Sequence, residues 1–326
     1  MSTGSIRQER VGMMAVFVAV TVWGFGNALA KYIPLTGPTL AFHRLWLGSA
    51  MAFVLVRLSG RRVERRALRL ALPGGIALGL NSMLFFSAVK YTSVTNATLI
   101  TTLQPLLVLA TVGRTFGEKV GPRVVVPALG AFAGAALVVL GPGAHGRHGG
   151  AGDLLAVGAL LAWTWYFIAS KRARVSLGTL EYQASVQLVA AVTVTPLALG
   201  LHQGLTGTSR SWLLVLLLAT VPGGGHFLVN YAHRHVRLSV ASLFNLVTPI
   251  AAMVSAALMV HEPVTGLQVL GTGIVLAALA VVLSDRSGRG SPGREKGTAP
   301  GGGASAEMGA EPAAVPAVDP LAPLDT

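Results

Sequence analysis

Long apolar runs separated by short polar connections fill most of the chain, at roughly 11–33, 39–58, 71–89, 95–114, 122–141, 152–171, 179–201, 211–231, 238–260 and 265–284. Each run has about the 20 residues that an α-helix needs to cross roughly 30 Å of hydrocarbon. The pattern therefore predicts ten transmembrane helices whose connections are too short to hold a soluble catalytic domain. The first run is too long for a signal-peptide core and is followed by no convincing cleavage site, so it reads as a span. After Ser284 the pattern gives way to Gly, Ala, Pro and scattered charge through Thr326. Such a segment cannot bury a core, and 285–326 is expected to be a disordered cytoplasmic tail.

Two of the runs repeat one plan. Setting Pro105 over Pro249 also sets Ala97 on Ala241, Glu118 on Glu262 and Lys90 on Arg234. A nearly equal shift sets Trp23 on Trp163 and Lys31 on Lys171. The chain thus divides into a short N-terminus (1–10), a first five-helix repeat (11–141), an external linker (142–151), a second five-helix repeat (152–284) and the tail. Because each repeat has an odd number of spans, the two must cross in opposite directions. The expected fold is an all-α integral membrane protein with ten transmembrane helices in two inverted repeats. A proline inside a helix frees the carbonyl four residues before it, here at Thr101 and Asn245. In lipid such a break survives only where protein, water or a ligand satisfies it. The two breaks are expected to face each other across a cavity, with Pro105 and Pro249 as hinges.

Composition strengthens this reading and narrows the function. Hydrophobic residues make up 52% and charged residues only 11%, against about 25% charged in soluble domains. The net charge of +13 lies in the connections and not along one soluble face, which argues for topological anchors and against nucleic acid. Arg7, Arg10, Arg57, the arginines of 61–69, Arg114, Lys119, Arg123, Lys171, Arg172, Arg174, Arg234 and Arg237 fall on one side. Only Lys31, Lys90, Arg147 and Arg210 fall on the other. Basic residues stay cytoplasmic, so both termini are expected inside. A preponderance of arginine over lysine, with abundant Ala and Gly, suits a bacterial protein of the cytoplasmic membrane. The absence of cysteine excludes disulfides and thiolate chemistry. No cofactor is expected: His145, His148, His233 and His235 lack acidic co-ligands for a metal, and the glycines at 141, 143 and 146 open no βαβ unit.

The residues that could carry function are few. Arg44 lies inside the second span, where a charge is costly unless partnered, and is either a contact for an anion or a snorkelling cation. His226 is the ionisable group nearest the middle of a span, a proton-coupling site or a neutral bundle histidine. Gly223, Gly224 and Gly225 beside it permit a hinge or close packing. The amides Asn27, Asn81, Gln104, Gln183, Gln187, Asn230 and Asn245 would individually serve as interhelical glue. Together with Trp23, Thr101, Trp163 and Tyr166 they suit a cavity for a small polar or amphipathic molecule. Glu118 and Glu262 end equivalent helices as gate or coupling groups, or as ordinary interfacial carboxylates. Gly130-x-x-x-Gly134 fits a homodimer contact and fits packing within one chain equally well.

Val22-Trp23-Gly24-Phe25, Phe42-His43-Arg44-Leu45, Gln104-Pro105, Thr248-Pro249, Gly117-Glu118 and His261-Glu262 resemble the EamA family of the drug/metabolite transporter superfamily over about residues 11–284. That resemblance implies a ten-helix transporter, many relatives being exporters of amino acids, metabolites or toxic compounds. One departure is that Arg44 has Ala184 as its counterpart, so any role for the arginine belongs to one repeat. The expectation is a secondary transporter of a small molecule, working by alternating access in the lipid bilayer. The alternative is an intramembrane enzyme acting on a lipid-linked substrate, which would require a paired catalytic constellation.

Overall fold

The computed structural model describes residues 3–92, 94–117, 121–139, 150–200, 208–260 and 265–287. These residues form α1 (Thr3–Tyr32), α2 (Gly37–Leu58), α3 (Arg65–Tyr91), α4 (Val94–Thr101), α5 (Gln104–Phe116) and α6 (Pro122–Val139). They continue with α7 (Gly150–Ala173), α8 (Thr179–Gly200), α9 (Ser209–His235) and α10 (Leu238–Leu243). After a 3-10 turn (Phe244–Val247) come α11 (Thr248–Val260) and α12 (Gly266–Ser287). Among the described residues, seven helical stretches are long and apolar enough to cross a membrane, the last being Leu238–Ser255, which runs through the 3-10 turn. Glu118, Glu262 and the tail from 288 onward lie outside the described residues.

Two of the predicted helices are not merely bent at proline. They are cut. The run at 95–114 becomes α4 and α5 with Thr102 and Leu103 in a turn between them, and the run at 238–260 becomes α10, the 3-10 turn and α11. Pro105 and Pro249 consequently sit in the first turn of a new helix, where a missing amide has no bond to lose. The Thr101 hydroxyl donates back to the carbonyls of Ala97 (2.9 Å) and Thr98 (3.0 Å), the second of which also accepts from the Thr102 amide (2.9 Å).

Helix lengths recur in chain order. α2 and α8 have 22 residues each, α3 and α9 have 27, and α5 and α11 have 13. The packing recurs too: α3 lies along α7 as α9 lies along α1, α3 meets α8 as α9 meets α2, and α2 with α8 and α6 with α12 pair directly. Exchanging α1–α6 for α7–α12 maps these pairings onto one another, with α3 packing along α8 more extensively than α9 along α2. Between apolar helices in lipid, packing and hydrogen bonds must supply the attraction, and small residues allow close approach. A Cβ on Gly24 would fall 2.5 Å from Ala251 Cβ and 2.7 Å from Thr248 O, so α1 touches the start of α11 backbone to backbone.

One basic residue of the connections does more than anchor. Arg174, 1% exposed, follows α7 and donates from Nε to the Asn230 carbonyl of α9 (2.6 Å), from Nη2 to Thr179 Oγ1 (2.6 Å) and from Nη1 to the Leu177 carbonyl. Burial first, and then the neighbouring Arg234, lower its pKa to about 10, which leaves it charged at neutral pH. Arg174→Met is expected to destabilise the fold by about 3 kcal/mol, since hydrogen bonds from a charged group are worth about 1.5–3 kcal/mol each and their acceptors stay buried. A clear drop in detergent melting temperature would confirm this; an unchanged value would reduce Arg174 to a surface anchor.

Candidate functional site

A cavity of about 110 Å³ lies where the two sets of helices meet. α1 contributes Trp23, Gly26 and Asn27, α2 contributes Arg44, and α3 contributes Asn81, Ser82, Phe85 and Phe86. Thr98, Thr101 and Thr102 come from the first helix break, and Asn245 and Thr248 from the second. Trp163 of α7 and Leu218, Pro222 and His226 of α9 complete the wall.

The aromatic groups form one connected box. Trp23 and Trp163, equivalent by the sequence offset, meet edge to face with ring centres 5.0 Å apart. His226 packs against Trp23 (5.0 Å), Trp163 (5.8 Å) and Tyr166 (5.7 Å). The Trp23 indole donates to the Pro222 carbonyl at 2.9 Å, and Trp163 stacks on Tyr166 at 5.1 Å. Every indole and phenol buried in this way tends to need a partner for its polar end, and here α9 supplies two of them.

Arg44 is 7% exposed and enters this box from α2. Its Nη2 lies 2.9 Å from His226 Nε2, its Nη1 donates to Ser82 Oγ at 3.3 Å, and its guanidinium sits 5.6 Å from the Phe86 ring centre. Ser82 and His226 are separated by the same offset as Pro105 and Pro249, so Arg44 reaches equivalent positions on α3 and α9. The side chain points into the bundle and not toward the headgroups.

Five of the expected residues, Gln104, Tyr166, Gln183, Gln187 and Asn230, are buried behind the wall and not on it. Gln104 is fully buried, and its Oε1 accepts from Asn245 Nδ2 at 2.9 Å. The helix breaks therefore touch each other, whereas the sequence reading placed the cavity between them. Tyr166 donates to Asn230 Oδ1 (3.1 Å), and Asn230 Nδ2 donates to Gln183 Oε1 (2.7 Å). These amides satisfy one another, the glue role, and leave the cavity to their neighbours. Asn81 combines the two, lining the cavity while donating to the Ala159 carbonyl at 2.9 Å. Ser82, Phe85, Phe86, Thr98, Thr102 and Leu218 were not singled out from sequence, because single hydroxyls and apolar residues carry no signal above the background of a span.

The sequence model of the EamA-like transporter family matches residues 10–140 and again 150–284. This chain belongs to the EamA-like transporter family. It is a multi-pass membrane protein of a transporter family. A pseudopaline exporter, CntI, from each of two strains of Pseudomonas aeruginosa is 22% identical over 236 residues, covering 71% of this chain and 81% of the relative. A solved structure described only as the crystal structure of a protein superposes with a TM-score of 0.74 at 18% identity, covering 87% of this chain and 99% of its own. At that identity the likeness concerns the fold alone.

Within this EamA-family chain, α9 passes unbroken through Pro222 and the three glycines. The glycines are unequal. A Cβ on Gly225 would fall 2.7 Å from Trp23 Nε1, while one on Gly224 meets nothing within 4 Å. Gly225→Ala is expected to lower the melting temperature, because overpacking costs about 1–3 kcal/mol and outweighs the roughly 1 kcal/mol gained from helix propensity. Gly224→Ala is expected to leave it unchanged or raise it. Equal behaviour of the two in a detergent melt would contradict the close Trp23 contact.

Proposed function

We propose that this protein is a secondary transporter that moves a small metabolite outward across the bacterial cytoplasmic membrane by alternating access around this cavity. On this reading the chain crosses the membrane ten times. α4 with α5 forms one broken crossing and α10 with α11 forms another, in inverted repeats over 11–141 and 152–284 with both termini cytoplasmic.

The observation that carries the proposal is that both sets of helices wall the cavity and both helix breaks reach it. Transporters of inverted-repeat design place their sites at such an interface, among discontinuous helices near the midplane. The exchangeable packing of α1–α6 and α7–α12 supplies two halves that can rock. The hydrogen bond between Gln104 and Asn245 is then a contact between breaks that must remake itself as access changes. Pro105 and Pro249, at the head of the second segment of each broken helix, are the hinges. The two curated exporter relatives support the outward direction.

Counterflow tests this. Purified protein in proteoliposomes, offered radiolabelled amino acids and other small metabolites, is expected to give saturable exchange without ATP for at least one solute. No saturable exchange across the panel, alongside turnover of a lipid substrate, would replace transport with intramembrane catalysis.

A further inference from the structure

The charge balance of the cavity is uneven. Arg44 is buried, and among the described residues the structure places no carboxylate against it; the recorded ion pair is Arg61 with Glu181, elsewhere. Its contacts are a hydroxyl, an imidazole nitrogen and an aromatic face. Burying a cation without an opposite charge is costly, and neutral dipoles offset only part of that cost.

The hydrogen pattern adds a second, independent signal. A guanidinium can only donate. The 2.9 Å contact therefore makes His226 Nε2 the acceptor, and the neutral imidazole carries its hydrogen on Nδ1. That Nδ1 has no partner, and neither does Arg44 Nε. Two buried donors on two cavity-lining residues thus want acceptors, while the one acceptor that the pair possesses is already used.

Resting on the transport reading above, we propose that the substrate is an amphipathic monoanion, a carboxylate in chemical class, whose charged end is held by Arg44 with Ser82 and His226 as neighbouring donors. The carboxylate replaces His226 as the acceptor for Arg44, for which a bidentate carboxylate is the best-fitting partner. The freed imidazole keeps its hydrogen on Nδ1, and a turn of the ring about Cβ–Cγ lets that N–H donate to the same group. No proton from solution is required, since adding one to His226 would leave two cations facing one anion. The groups that face His226 are Arg44 from α2 and Tyr166 from α7, with the indoles of Trp23 and Trp163. The apolar body of the ligand lies against Trp163, Phe85 and Leu218.

The test is binding, measured apart from transport. Proteinogenic amino acids and simple aryl and alkyl acids, each paired with its amide, are titrated calorimetrically into the purified protein. At least one acid is expected to bind about tenfold or more tightly than its amide, a difference of about 1.4 kcal/mol. Arg44→Gln is expected to erase that preference and Arg44→Lys to keep part of it, with the unliganded melting temperature showing that each variant folds. Failure of every acid to bind, equal binding of the amides, or an acid preference that survives Arg44→Gln overturns the proposal. Saturable counterflow of neutral or cationic solutes with no acid preference would sink the anion site and leave transport standing. Uptake of a proton on acid binding, seen as heat that depends on buffer, would overturn the proton-free exchange at His226.

Discussion

Asn245→Leu is expected to slow transport about tenfold or more while the protein still inserts and melts cooperatively. Asn245 lines the cavity from the 3-10 turn, and its amide is the hydrogen-bond link to Gln104 at the head of α5. Leucine keeps the branch at Cγ and the number of side-chain heavy atoms, so the turn can still pack. It can neither donate nor accept, and Gln104, fully buried with Nε2 already lacking a partner, would be left with no bonded side-chain atom. An unsatisfied buried amide costs about 1–3 kcal/mol, enough to shift an access equilibrium by roughly tenfold. The measurement is exchange in proteoliposomes set beside the amount of folded protein recovered. Normal exchange by Asn245→Leu would separate the helix breaks from the transport site.

Gly24→Val is expected to prevent assembly of the bundle. The neighbours that a Cβ would meet on Gly24 include the backbone carbonyl of Thr248 at 2.7 Å and the backbone nitrogen of Ala252 at 2.8 Å, and backbone cannot rotate out of the way as a side chain can. The branched side chain therefore forces α1 from α11, at the junction that also positions Trp23 and Thr248 in the cavity. Overpacking typically costs about 1–3 kcal/mol and occasionally more, and the upper end is expected where two backbones must part. The readout is folded yield and melting temperature in detergent. Wild-type values for Gly24→Val would mean that α1 and α11 do not meet in this way.

The helices were legible because run length is a direct consequence of membrane thickness, and α3, α7 and α9 fall where the apolar windows put them. The breaks were legible because Pro105 and Pro249 recur at equivalent places in the two repeats, although the outcome was interruption by a turn or a 3-10 segment and not a bend. A proline alone is no such signal, since α9 passes unbroken through Pro222. Trp23 and Trp163 could be found through the offset that pairs them, and Arg44 and His226 through their rarity inside spans. Other features depend on helix rotation and on which helices touch, which one sequence does not encode locally. Ser82 became an Arg44 partner, Gln104 moved behind Asn245, and Asn230 with Gln183 closed a separate network. The gate role imagined for Glu118 and Glu262 falls on residues outside those described.

Alternating access around the cavity can be read most directly from the solvent exposure of its wall. The chain has no native cysteine, so Thr98→Cys and Thr101→Cys introduce single thiols into a silent background, at positions lining the first break. Each variant is treated with a membrane-impermeant maleimide in right-side-out and in inverted vesicles. The account predicts slow labelling from both sides, suppressed by a transported solute. Labelling from one side only, at a rate that a transported solute leaves unchanged, would contradict it.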